Sequence, residues 1–371
     1  MTDDQQTGEN TPQTSPEVSE QMQVRLDKRA RIIDEGGQAY PVDLLRDHTL
    51  KQIREKYTDE AGELTLEVGE EVPDDVVTIG GRVMFLRNTG KLCFTSLQDG
   101  FTESSNGERL QVMLSKALVG EQALTAWKSD VDLGDFVWVK GFVARSRRGE
   151  LSVMATEWKM ASKALRPLPT LHKELGEETR VRRRYADLVA REEARQMVRV
   201  RAAITRAIRT TLDELGFLEI ETPILQLVHG GAAARPFNTH LNAFDIDMSL
   251  RIALELYLKR AMVGGMDRVY EMGRVFRNEG IDSNHSAEFT MLEAYMSWGN
   301  QFTIAEVIQQ IIVRAADALG GRQIQTEQGV IDLDGQWEWV HVHPELSRRL
   351  GREITLDLSL IHISEPTRLR R

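Results

Sequence analysis

The run Val275-Phe276-Arg277-Asn278-Glu279-Gly280, followed by Phe289-Thr-Met-Leu-Glu293-Ala-Tyr295, gathers side chains of unlike chemistry into a short stretch. If both flanks are strands, their period of two puts Val275, Arg277 and Glu279 on one face, and Phe289, Met291, Glu293 and Tyr295 on another. An arginine, aromatic rings and two carboxylates then converge. Unpaired buried charges cost several kcal/mol, so the set predicts a ligand that carries phosphate and ammonium. Two further segments could serve it. The small residues of His229-Gly-Gly-Ala-Ala-Ala-Arg-Pro-Phe237 let backbone approach a ligand closely. Leu250-Arg-Ile-Ala-Leu-Glu255-Leu-Tyr-Leu-Lys259 reads as a strand turning into a helix. Glu255 falls in its first turn, where an acid complements the helix dipole even without a ligand.

Positioning these groups takes more than one domain, because 371 residues exceed the ~150 typical of a single one. With 57 acidic and 47 basic residues and a formal charge of −10, the chain is no general polyanion binder; nucleic acid must meet local basic patches. The one cysteine, Cys93, excludes an intrachain disulfide and a cysteine-rich zinc site, and fits a reducing compartment. No apolar run reaches the ~18 residues of a membrane span, and the polar N-terminus lacks a signal-peptide core. A cytoplasmic protein that does not contact membranes is expected.

Residues 1–19, rich in Gln, Thr, Ser, Pro and acid, read as a disordered tail. A helical extension over 20–75 opens with a helix from Glu20 to Glu35. It places Met22, Leu26 and Ile33 on the apolar side, Arg25, Lys28, Arg29 and Arg31 outside, and Gly36-Gly37 as the stop. Such a basic face is either merely solvated or lies on an RNA backbone. Over 76–165 the pattern changes to five short β-runs with a helix, Lys116 to Trp127, after the third, which predicts a small Greek-key barrel of the oligonucleotide-binding (OB) kind. Its exposed face offers Arg87, Phe94 and Gln111, an aromatic among polar groups that suits base stacking and edge reading; taken alone, Phe94 reads as an ordinary core residue rather than a stacking one. The two prolines of Leu165-Arg-Pro-Leu-Pro169 mark a linker over 166–180. A long arginine-rich helix from Val181 to about Leu215 follows, capped by Gly216, and Phe217-Leu-Glu-Ile-Glu-Thr-Pro223 reads as a strand closed by proline. The fold class expected is α+β, a five-stranded OB-fold barrel followed by an antiparallel-sheet domain with helices.

From about Glu20 to Thr355 the sequence resembles the N-terminal two-thirds of the bacterial class II lysyl-tRNA synthetases. Leu215-Gly-Phe-Leu-Glu-Ile-Glu-Thr-Pro223 is similar to the family's first motif, which builds its homodimer interface. Phe276-Arg277-Asn278-Glu279, the loop to His285 and the strand from Phe289 resemble its second, ATP-binding motif. Gly230-Gly-Ala-Ala-Ala-Arg-Pro-Phe237 and Glu-Leu-Tyr-Leu-Lys-Arg from Glu255 point to the lysine enzymes in particular. The resemblance implies a ligase for lysine, ATP and tRNA(Lys). In it Arg277 bridges substrate carboxylate and α-phosphate as the catalytic residue, Glu279 and His285 contact ATP, and Phe289 stacks on adenine. Gly231 and Glu255 form the α-amino site, Glu293 and Tyr295 form the pocket for the side-chain ammonium, and Arg87, Phe94, Gln111 and Glu150 read the anticodon. An acidic pocket suits lysine, whereas aspartate would need a cation and asparagine neutral partners.

Leu254 stands where relatives commonly carry proline, and Ser286-Ala287 where they carry Asn-Pro, which bears on any phosphate contact at Ser286. No Gly-x-Gly-x-Gly-x-x-Arg run follows, so the catalytic domain over 181–357 is expected to be incomplete. The magnesium ligands of the family would then lie beyond the end of the sequence and no metal ligand is assigned within it. Residues 358–371, beginning Leu358-Ser-Leu-Ile-His-Ile-Ser-Glu-Pro-Thr-Arg368, resemble the translation of a sequencing-adapter oligonucleotide; a genomic locus encoding them in place would exclude that origin. Three functions stay open on these grounds: a lysine–tRNA ligase, inactive in the piece given; a non-catalytic tRNA-binding module; and a lysine ligase acting on protein.

Overall fold

A computed structural model describes residues 19–169 and 175–355. The N-terminal tail, the middle of the linker and the adapter-like C-terminus lie outside them. The chain divides into two compact units between Ala202 and Ala203.

The first unit is organised around a closed barrel of β1 (Glu71–Thr89), β2 (Leu92–Gln98), β3 (Arg109–Ser115), β4 (Phe136–Arg145) and β5 (Leu151–Ser162), in the order β1-β2-β3-β5-β4. All neighbours are antiparallel except β3 and β5. Alternation drives it inward: Val77, Ile79, Cys93, Leu97, Val112, Leu114, Val139 and Val153 fill the interior, as a half-buried sheet with period-two patterning must arrange them. Burial pushes the Cys93 thiol pKa up. The helix expected after β3 is broken in two at Gly120, whose φ of 85° suits glycine, giving α3 (Lys116–Val119) and α4 (Glu121–Asp130).

Helix α1 (Glu20–Asp34) forms as expected, capped by Ser19 and ended at Gly36, but its faces differ from the expected ones. Ile33 is exposed and Arg25 is buried. The Arg25 guanidinium donates to the Ala164 and Leu133 carbonyls at 3.0 and 2.9 Å, so its charged head stays satisfied although the residue is buried. Lys28 pairs with Asp132 at 2.6 Å and Arg31 with Asp130; those two cations hold the helix to the barrel. Beneath them Lys163, with a fully buried side chain, reaches the Asp130 carbonyl, Asp132 and Asp135 at 2.6–2.7 Å. Helix α2 (Leu50–Lys56) carries a Thr49–Gln52 capping box.

Lys163→Met is expected to destabilise this unit by about 3–5 kcal/mol, because it leaves the Asp135 carboxylate buried and uncompensated. An unchanged thermal midpoint would exclude that. Burial alone would raise the Asp132 pKa, but hydrogen bonds and charge from Lys163 and Lys28 hold it below the usual carboxylate value. Its stabilising contribution is therefore full above the ordinary aspartate pKa of ~3.9 and lost as pH falls through the lower native value.

Three helices replace the single one expected from Val181. They are α5 (Glu177–Arg182), α6 (Arg184–Ala190) and α7 (Glu192–Glu214). The breaks fall at Arg183 and Arg191, whose backbone leaves the helical region; between them the buried Asp187 side chain pairs with Arg184 and Arg191. Early in α7, Arg195 donates to the Asn106 carbonyl at 2.7 Å and Arg199 to the Glu103 carbonyl at 2.8 Å, tying the β2–β3 loop down.

The second unit contains the sheet β11-β10-β6, from β6 (Leu218–Glu219), β10 (Arg268–Phe276) and β11 (Glu288–Met296), with β6 parallel to β10 and β11 antiparallel to it. A second sheet orders β7 (Leu225–Gln226), β9 (Ile246–Leu250) and β8 (Asn238–Leu241), and β12 (Gln323–Thr326) pairs with β13 (Gly329–Asp332). The strand expected over Phe217–Pro223 shrinks to two ladder residues, extended by the Ile220 N–H on Tyr270 O. Leu212 of α7 and Val307 of α9 (Gln301–Asp317) pack with Tyr270, Leu292 and Met296 on one face of the main sheet. Leu254 and Leu258, at α8 (Glu255–Val263), pack with Val269, Val275, Phe289, Met291 and Tyr295 on the other. Helix α10 (Val342–Leu350) ends at Gly351 in the left-handed region.

Candidate active site

Strand β11 presents Phe289, Met291, Glu293 and Tyr295 on one face as its spacing predicts; their cross-strand partners on β10 are Val275, Gly273, Glu271 and Val269. The expected Val275, Arg277, Glu279 row is cut short, because β10 ends at Phe276. Arg277 still continues the ladder, its N–H donating to Ala287 O at 2.8 Å. Its Nε donates to Ile252 O at 3.3 Å, and its guanidinium lies 5.2 Å from the centre of the Phe289 ring. That cation–π contact and the carbonyl orient the terminal fork.

Glu279 turns away from the strand. Its carboxylate accepts from the Arg235 N–H at 3.3 Å, and the Asn278 N–H donates to Arg235 O at 2.8 Å, which ties the second motif to the small-residue run. His285 is exposed in the intervening loop, with Nδ1 2.8 Å from Asp282 Oδ2. The Asn284 N–H, together with the His285 ring and N–H, holds the Asp282 carboxyl below its usual range.

Glu293 Oε1 accepts from the Leu254 N–H at 3.0 Å and Oε2 from the Tyr295 hydroxyl at 2.9 Å. Burial, the Glu293 hydrogen bond and the charges of Glu293 and Glu255 push the Tyr295 pKa well up, which keeps it a donor. Glu255 is the first residue of α8 and pairs with Lys259 at 2.5 Å. Gly231 adjoins it: a Cβ at this position, φ 86°, would sit 2.8 Å from Glu255 Cβ and 3.0 Å from Ala253 Cβ. Gly231 and Glu255 are thus brought together, and Glu255 and Glu293 both act on Tyr295. Each carboxylate oxygen of Glu293 retains a lone pair for an incoming ammonium.

A buried support escaped the spacing argument. Arg251 and Glu271, both almost fully buried, pair at 2.6 Å; Thr222 Oγ1 donates to Glu271 at 2.6 Å, and Arg251 Nε donates to Arg274 O at 2.8 Å. The Phe276 N–H in turn donates to Arg251 O at 2.9 Å, so the pair fixes the strand end from which Arg277 departs. The detectable signal was Gly273 in mid-strand: a Cβ there would collide with the Arg251 guanidinium.

On the barrel, Arg87 lies directly across from Phe94, and Ser96 directly across from Gln111. Phe94 is half-buried between the inward Cys93 and Thr95, outside the core. Gln111 Nε2 donates to Ser152 Oγ at 2.8 Å, and that hydroxyl donates to the Glu150 carbonyl at 2.9 Å. All four expected base contacts therefore share one side of the barrel or its β4–β5 hairpin.

The five-stranded barrel and the helix-flanked β11-β10-β6 sheet are the architecture expected of a class II aminoacyl-tRNA synthetase, and the comparisons agree. Residues 176–355 match the family described as tRNA synthetases class II (D, K and N), and residues 77–161 match the OB-fold nucleic acid binding domain. The chain is 54% identical to a lysine–tRNA ligase of Kineococcus radiotolerans over 94% of its own length and 67% of that protein's. It is 53% identical to lysine–tRNA ligase 1 of Mycobacterium tuberculosis H37Rv over 92% and 66%. Against the lysylphosphatidylglycerol biosynthesis bifunctional protein LysX of Rhodococcus jostii, identity is 40% over 94% of this chain and 30% of that protein. The chain belongs to the lysine–tRNA ligase family, and spans about two thirds of the length of the curated ligases it matches.

Proposed function

We propose that the protein activates lysine with ATP and transfers it to tRNA(Lys). A single arrangement supports this: an acidic pocket of Glu255, Glu293 and Tyr295 on the sheet face that also carries Arg277 over Phe289. Lysine's side-chain ammonium donates to Glu293 and its α-amino group to Glu255, displacing Lys259. Adenine stacks on Phe289, and Glu279 and His285 face the rest of the nucleotide. A carboxylate oxygen of lysine attacks the α-phosphorus as the bond to pyrophosphate breaks, giving lysyl-adenylate. A terminal tRNA hydroxyl then attacks the lysyl carbonyl and AMP leaves. Arg277 stabilises the charge that builds on the phosphoryl oxygens, without a covalent enzyme intermediate.

Among the described residues, no group of three or more His, Cys, Asp or Glu side chains is arranged to hold a metal ion. The described residues thus offer no such cluster to a magnesium ion. No described helix is long and apolar enough to cross a membrane. The buried single cysteine is in keeping with work in the cytoplasm, which cell fractionation would test. The exposed apolar side chains Leu218, Ile224, Leu225, Leu227 and Val228 suit burial against a second copy of the chain; sedimentation of the full-length protein as a monomer would exclude that. The discriminating assay for the whole reading is ATP–pyrophosphate exchange by the full-length protein, expected with lysine and absent with aspartate or asparagine. Exchange supported equally by all three would defeat the acidic-pocket assignment.

A further inference from the structure

We propose that Phe85 is a second base-stacking platform, which holds the nucleotide next to the one on Phe94. This rests on the reading of the barrel as an anticodon-binding domain.

Strict alternation along β1 would send Phe85 inward, since Val77, Ile79 and Val83 all point to the core. The β1–β2 register slips between Val83 and Phe85, a bulge. Met84 takes an inward position beside Val83, Leu86 packs on the core, and Phe85 and Arg87 both turn outward. A bulge re-aims the side chains that follow it. The Thr95 hydroxyl fixes this one by donating to Phe85 O at 2.8 Å. Phe85 ends 53% exposed, outside the core cluster.

Its neighbours match it to a base. The outer surface of the first three strands forms two rows, Arg87, Phe94 and Met113 in one and Phe85, Ser96 and Gln111 in the next. Phe85 pairs with Ser96 and is therefore diagonal to Phe94, roughly 7–8 Å away across an antiparallel pair. Two aromatics so placed can each take one of two successive unpaired bases. Each ring has a polar group beside it, Arg87 next to Phe94 and Ser96 next to Phe85, with Gln111 one strand beyond Ser96 in the same row. Gln111 spends one amide hydrogen on Ser152, and its carbonyl and second hydrogen remain for base edges. A purely apolar partner would leave these groups unsatisfied, so the face fits a single-stranded nucleic acid and continues the Phe94 patch.

The test measures binding of the full chain to a lysine anticodon stem-loop, intact and with an abasic site at each loop position in turn. Phe94→Ala and Phe85→Ala are each expected to weaken binding about 5- to 100-fold. The Phe85→Ala loss should vanish on one abasic loop only, the one adjacent to that which erases the Phe94→Ala loss, and Phe85→Trp should retain affinity. If Phe94→Ala binds like the wild type, the anticodon reading falls and this inference with it. If Phe94→Ala weakens binding but Phe85→Ala does not, or loses equally on every abasic loop, only the second platform is overturned.

Discussion

Arg277→Ala in the full-length protein is expected to lower lysine-dependent ATP–pyrophosphate exchange by about a thousandfold or more, with removal of a single transition-state donor already costing 10²–10³. Arg277 is held at three points: its own N–H on Ala287 O, its Nε on Ile252 O, and the Phe289 ring beneath its guanidinium. These contacts leave the two terminal nitrogens as a fork, which can hold two anionic groups at once. Arg277→Lys should recover little, because an ammonium is a point charge without the fork and loses the orientation that the ring imposes. Exchange within tenfold of the wild type for either variant would remove Arg277 from the reacting centre.

Glu293→Gln is expected to raise the lysine requirement of the same assay about 30-fold or more while leaving the ATP requirement nearly unchanged. The substitution conserves shape but removes the charge that faces the ligand ammonium, and loss of one partner from a desolvated, hydrogen-bonded charge pair costs ~2–5 kcal/mol. It also sets an amide N–H₂ against either the Leu254 N–H or the Tyr295 hydroxyl, both of which now donate to Glu293. An unchanged lysine requirement would show that the ammonium binds elsewhere.

Much of this architecture could be read from spacing. The five barrel strands follow from alternation, and β11 keeps its predicted face because no bulge interrupts Glu288–Met296. Glu255 was legible as a residue of a helix's first turn, and it is the first residue of α8. Two of the misses share a physical cause: a charged side chain satisfied by backbone carbonyls or by a distant partner. Arg25 counted as exposed because its type is usually solvated, yet two carbonyls more than a hundred residues away accept its donors. Arg251 and Glu271 lie twenty residues apart and gave no local pattern, although together they brace the strand end that carries Arg277. The breaks at Arg183 and Arg191 lie outside that cause: their backbone leaves the helical region within a continuous helical sequence pattern.

The bulge in β1 makes the outer face of the barrel depend on counting as much as on chemistry. Every side chain from Phe85 to Thr89 owes its orientation to one extra residue upstream. Deleting Met84 would remove no side chain proposed to contact RNA, yet it would turn Phe85 and Arg87 into the interior and Leu86 out of it. A substitution at this face removes one contact, whereas a single-codon deletion would invert the whole strip, so length in this stretch of β1 is constrained more tightly than identity.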